Sequence, residues 1–118
     1  MNKHCICNLR NIYKTIISFE NEMEKTFGLN INELMLLCLL SDQDNLSSGE
    51  IADHLELTPS NTSKVIASLE KQKAIQRHIC KQDKRCMRFS LTTKGKELLS
   101  LVNCEKIQLP ESLAALIS

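Results

Sequence analysis

A mostly helical domain carrying one small β-hairpin is the fold class that this sequence predicts. Three observations point to it. Apolar residues recur at three- and four-residue spacing over several segments, the period of a helix with one buried face. Helix-start signals precede those segments: Asn30, Ser47 and Thr58 each stand before an apolar-periodic run. Two short alternating runs then flank the charged string Lys81-Gln82-Asp83-Lys84-Arg85, as two strands flank a hairpin tip.

Taken in order, Asn8 to Phe27 reads as an amphipathic helix, with Leu9, Ile12, Tyr13, Ile16, Met23 and Phe27 on its apolar side and Gly28 as its stop. Asn30 and Glu33 make an Asn variant of the capping box. The helix that follows, through Leu34, Met35, Leu36, Leu37, Cys38, Leu39 and Leu40, is apolar on nearly every side and so is expected at the centre, with Cys38 a core filler. Ser41 to Leu46 reads as a polar loop. Ser47 and Glu50 form a second capping box for a short helix ending at Leu55, and Glu56-Leu57 is the turn. Thr58 is an N-cap, Pro59 suits the first helical position, and the helix runs to about Gln72. Ile75 to Cys80 and Cys86 to Leu91 are the strands. Thr92 caps a further helix, and Pro110 opens a last short segment.

Two helices joined by a short turn, with small polar residues on the second, form a helix-turn-helix, and the basic hairpin after them is a wing. A wheel of the second helix turns Thr62, Val65, Ile66 and Leu69 one way and Ser60, Ser63, Lys64, Ala67 and Lys71 the other, with Asn61 flanking the second set. The polar set is short enough to enter a major groove, and the helix N-terminus suits a phosphate.

Charge supports this reading. The chain has 118 residues and a net charge of +1. From Thr58 to Lys96 ten basic residues face two acidic ones, a net +8, and the remainder carries −7. Such a division is the footprint of a polyanion-binding face on an acidic body. Aromatics are 3%, without Trp, so the core is aliphatic and base stacking on aromatic platforms is not expected. The length suits one domain, 1–118. The expected division is a winged helix-turn-helix core over 30–92, with dimerisation helices over 8–27 and 94–118. No apolar run long enough for a leader or a membrane span is visible, so the expectation is a cytoplasmic protein with no membrane partner and with reduced thiols. No Ser/His/Asp arrangement, phosphate loop or paired-carboxylate site stands out. The sequence therefore predicts no enzyme activity, no cofactor and no metal site.

Residue by residue from Gly28 to Leu99 the chain resembles the MarR family of bacterial regulators. The resemblance rests on Glu50-Ile51-Ala52-Asp53-His54-Leu55, on Thr58-Pro59-Ser60-Asn61-Thr62-Ser63-Lys64 and on Leu69-Glu70. It continues through Ile75-Gln76-Arg77, Asp83-Lys84-Arg85 and Leu91-Thr92-Thr93-Lys94-Gly95. It implies a homodimer joined through its first and last helices, binding double-stranded DNA at a pseudo-palindromic operator, usually as a repressor released by a small-molecule effector or an oxidant. It also implies that Asp83 orients Arg85 toward the minor groove. The expected DNA-binding residues are Ser47, Thr58, Ser60, Asn61, Thr62, Ser63, Lys64, Arg77, Lys81, Asp83, Lys84, Arg85 and Arg88. One departure stands out: the family's glycine after the recognition helix is Lys73 here. That substitution costs about 1 kcal/mol if the left-handed backbone is kept. The segment after Ile107 is also short for the family.

Cys5, Cys7 and Cys104 have two readings, a metal or redox sensor at the dimer interface or incidental thiols at the chain ends. Cys80 and Cys86 pair across the hairpin if the register suits. An alternative from another class is a winged helix that binds protein and never touches DNA.

Overall fold

The computed structural model describes residues 2–79 and 86–103. The elements run α1 (Lys3–Phe27), α2 (Ile31–Asp42), β1 (Leu46–Ser47), α3 (Ser48–Leu55), α4 (Pro59–Lys71), β2 (Ile75–Ile79), β3 (Met87–Leu91) and α5 (Thr93–Asn103). They pack as two units, one holding residues up to Asn30 and the other running Ile31–Cys104.

In the first unit, α1 begins five residues earlier than the apolar pattern alone suggests, because the Asn2 side chain accepts a hydrogen bond from the Cys5 amide at 2.9 Å and caps the helix. Gly28 ends it in the left-handed conformation, φ 70°, as expected of a glycine stop. Ile6, Leu9, Tyr13 and Ile16 follow the 3-4-3 spacing of one helical stripe. All four are exposed, Tyr13 to 66%.

The second unit is the mostly helical winged helix-turn-helix that the sequence predicts. Its core is aliphatic apart from Phe89: Leu36, Leu37 and Leu40 of α2, Ile51 of α3, Val65, Ile66 and Leu69 of α4, and Ile75, Phe89 and Leu91 of the hairpin are buried. The α2 helix is not buried all round, however. Met35 and Cys38 are exposed, so Cys38 is not a core filler. Desolvation of its sulfur, followed by the nearby Asp42 carboxylate, pushes its thiol above the ordinary range.

The Ser47/Glu50 capping box forms in both directions: the Ser47 hydroxyl accepts from the Glu50 amide, and a Glu50 carboxylate oxygen accepts from the Ser47 amide, each at 3.2 Å. Glu56 makes the helix-turn-helix turn with a left-handed backbone, φ 54°. Thr58 and Pro59 start α4 as cap and first residue, the Thr58 hydroxyl accepting from the Asn61 amide at 3.1 Å.

The sheet has three strands in the order β1-β3-β2, all antiparallel. Ile75 faces Leu91, Arg77 faces Phe89 and Ile79 faces Met87, but burial does not alternate as expected: Phe89, Ser90 and Leu91 are buried in succession at the base of the hairpin, and Ile79 and Met87 are exposed further along it. The strand β1, lying in what reads as a polar loop, pairs Leu46 with Phe89 and Ser47 with Arg88. At the far end of the hairpin's base, Lys73 takes φ 62°. The left-handed turn is kept although its residue is not glycine.

Candidate nucleic-acid interface

The helix α4 separates its two faces as the wheel predicts. Thr62, Val65, Ile66 and Leu69 are buried, and Ser60, Asn61, Ser63, Lys64, Ala67 and Lys71 are exposed. Thr62 corrects the expectation that it meets DNA. It is 1% exposed, and its hydroxyl donates to the Thr58 carbonyl at 2.8 Å. It anchors the helix start from inside. Thr58 is exposed beside it, and Ser47 is half-buried at the start of α3.

The exposed face is therefore built of Ser60, Asn61, Ser63 and Lys64. Short hydroxyls and one amide at the N-terminal half leave room for close approach, and a cation stands next to them. Beside this face lies a cleft of about 380 Å³ between α4, the start of α3 and the hairpin, lined among others by Ser47, Ser63, Glu70, Arg77 and Met87.

Two of the basic residues expected to bind DNA, Arg77 and Arg88, already hold carboxylates. Arg77 grips Glu70 of α4 with two nitrogens, Nε to Oε2 at 2.7 Å and Nη2 to Oε1 at 2.6 Å. Its Nη1 donates to the Met87 sulfur at 3.3 Å, and its guanidinium lies 5.7 Å from the Phe89 ring centroid. Glu70 raises the Arg77 pKa further by accepting these bonds and by its charge. Arg88 donates to the Asn45 carbonyl at 2.9 Å and to Glu50 at 3.2 Å. Glu50 in turn is held below the usual carboxylate range, chiefly by the Ser47 backbone and side-chain hydrogen bonds, with Arg88 and His54 adding to the effect.

Behind α4, Glu33 of α2 is 5% exposed and accepts at one oxygen from Ser68 Oγ of α4 at 2.6 Å and from Nε2 of Gln72, the C-cap of α4, at 2.9 Å. Read from sequence it is a capping residue of its own helix. Nothing local announces that it also reaches another helix 35 residues away.

Lys81, Asp83, Lys84 and Arg85 lie outside the described residues, as do Cys80 and Cys104. Cys86 is disulfide-bonded, against the expectation of reduced thiols, and its partner lies outside the described residues. Cys5 and Cys7 are exposed free thiols on α1. Among the described residues no group of three or more His, Cys, Asp or Glu could hold a metal ion, and no helix is long and apolar enough to cross a membrane.

Comparison with known proteins bears on this geometry. The model of the MarR family matches residues 29–87, from two residues before α2 to the first residue of β3. The chain is 28% identical to the HTH-type transcriptional regulator PapX of Escherichia coli, over 87% of this chain and 73% of that one. It is 31% identical to the transcriptional repressor MprA of E. coli K12, over 71% of this chain, and spans about half of MprA, 49%. Among solved structures, the S. aureus MepR–DNA complex superposes with a TM-score of 0.67 at 26% identity, covering 81% of this chain and 79% of MepR.

Proposed function

Because this chain belongs to the MarR family and is a DNA-binding transcriptional regulator of that family, not an enzyme, we propose that it reads a pseudo-palindromic operator as a homodimer and represses transcription from it. The observation that carries this reading is the exposed face of α4. Ser60, Asn61, Ser63 and Lys64 are held outward by the buried opposite face of Thr62, Val65, Ile66 and Leu69, within the segment of net charge +8. The solved complex of MepR with DNA supports the same use of the fold. The name of MprA supports repression as the sign of control.

In this reading the side chains of α4 enter the major groove, and Thr58 and Ser47 approach the flanking phosphates. Arg85 enters the minor groove, oriented by Asp83, while Lys81 and Lys84 meet the backbone; these four roles rest on the family resemblance and the charge of the segment. Arg77 and Arg88 hold the wing and its neighbours in place through Glu70 and Glu50. The exposed stripe Ile6, Leu9, Tyr13 and Ile16 supports dimerisation through the 8–27 helix, with 94–118 completing the interface. A small-molecule effector or an oxidant releases the DNA.

Selection of duplexes from a random-sequence library, followed by footprinting of the enriched site, tests the proposal. A protected pair of half-sites about one helical turn apart is expected. Enrichment of no sequence, with no retardation of random duplex at low salt, sinks it in favour of a winged helix that binds protein.

A further inference from the structure

The recognition helix is held by polar contacts on both of its shoulders. With about 100° between successive residues, Ser68 and Gln72 lie on one flank of α4, and Glu70 lies about 160° from both on the other. The buried stripe of Thr62, Val65, Ile66 and Leu69 runs between the flanks. Arg77 of the hairpin takes Glu70, and Glu33 of α2 takes Ser68 and Gln72.

The two flanks differ in kind. Arg77 and Glu70 have 49% and 23% of their side-chain surfaces exposed, so water competes for that pair. Glu33 is 5% exposed, and Ser68 and Gln72 both donate to one of its carboxylate oxygens. A buried carboxylate that loses its donors has nowhere to find others, so these bonds tolerate little rotation of α4. The apolar stripe does not impose the same limit, since hydrophobic burial is non-directional and persists over a broad range of roll.

Resting on the DNA-reading proposed above, we propose that Glu33 is a positioning residue for sequence recognition: its buried carboxylate sets the roll of α4 and thereby the aim of Ser60, Asn61, Ser63 and Lys64 at base edges. A roll of about 20° moves a side-chain tip near the surface of a helix by about 2 Å. That shift breaks a hydrogen bond to a base edge, whereas a contact between a flexible lysine and a phosphate survives it. Loss of Glu33 therefore removes discrimination between sequences more than it removes affinity for DNA.

The test measures binding of the full chain to two probes, the duplex enriched from a random library by the wild-type protein and a scrambled duplex of the same length and composition. Glu33→Ala is expected to weaken binding to the enriched duplex about tenfold, the scale of losing one base contact, and to change binding to the scrambled duplex by less than about twofold. Glu33→Gln keeps an oxygen for both donors and is expected to return the ratio to within about threefold of wild type. A cooperatively melting Glu33→Ala protein with an unchanged ratio overturns the proposal. So does a Glu33→Gln ratio as low as that of Glu33→Ala, because charge and not geometry would then be at work. If Glu33→Ala does not fold, Ser68→Ala decides, with an expected fall of about threefold in the ratio and an unchanged ratio as the refuting result. A wild-type protein that prefers no duplex refutes the DNA-reading itself, a different outcome from either.

Discussion

Arg77 and Glu70 form a two-pronged ion pair that ties the first strand of the wing to the outer flank of the recognition helix, with both prongs at 2.7 Å or less. Two parallel bonds fix the guanidinium in orientation as well as position. Half-exposure limits the strength of the pair. A double-mutant cycle through Arg77→Ala and Glu70→Ala, read by urea unfolding, is expected to give a coupling of about 0.5–1 kcal/mol. The coupling should shrink in high salt. A value near zero at low salt would show that the pair orients the wing without stabilising it.

Lys73 keeps a left-handed backbone because its neighbours leave it no alternative. Its amide donates to the Glu70 carbonyl at 2.9 Å, and its carbonyl accepts from the Thr92 hydroxyl at 2.6 Å. Lys73→Gly removes the steric penalty of the Cβ and is expected to stabilise the protein by about 1 kcal/mol. A rise in melting temperature checks it; no change would mean that the added freedom of the unfolded glycine cancels the gain.

Gly95 has the opposite requirement. A Cβ added there would stand 2.1 Å from the Ala74 carbonyl oxygen, and the clashing atom belongs to backbone that cannot swing aside. Gly95→Ala is expected to destabilise the fold by about 3 kcal/mol or more. Retention of the wild-type melting temperature would contradict the close approach of α5 to Ala74.

Glu50 carries a pH signature. Its folded pKa is depressed, by the Ser47 hydrogen bonds first and by Arg88 and His54 after them. A depressed carboxylate contributes stability that is present above its unfolded pKa of about 4.3 and is lost as pH falls through the lower folded value. Glu50→Gln cannot titrate. The difference in melting temperature between wild type and Glu50→Gln should therefore be largest near neutral pH and should shrink below about pH 4. A difference that does not vary with pH would remove the carboxylate charge from the explanation.

Lys64 is the cation on the N-terminal half of the exposed face of α4. If it meets a phosphate, Lys64→Ala should reduce the slope of log affinity against log salt by about one unit. If it reads a base, the slope should stay and the preferred sequence should relax at one position. Titration of one duplex at several salt concentrations separates the two.

Much of this architecture was legible in the chain because helix starts and apolar period are local signals. Ser47 with Glu50, Thr58 with Pro59, and the buried stripe from Thr62 to Leu69 are each written within one or two turns. The unread parts depend on pairs far apart in sequence. The strand β1 has two residues, too few to show alternation, and exists because β3 offers Phe89 and Arg88 as partners. Arg77 and Arg88 read only as DNA-binding residues because the composition shows their charge and not the Glu70 and Glu50 that meet them. Glu33 matched a capping pattern so well that its reach to Ser68 had no visible sign. Cys38 sits in an apolar run whose outward side has no polar marker.

The junction around Lys73 and Ala74 also has a mechanical consequence. There the end of α4, the start of β2 and the start of α5 meet within a few bonds: the Thr92 amide donates to the Ala74 carbonyl at 3.1 Å, its hydroxyl holds the Lys73 carbonyl, and Gly95 lies against Ala74. With so little clearance α5 cannot slide along the sheet. Any shift of the start of α5 toward the sheet presses directly on Ala74, the residue between the end of the recognition helix and β2.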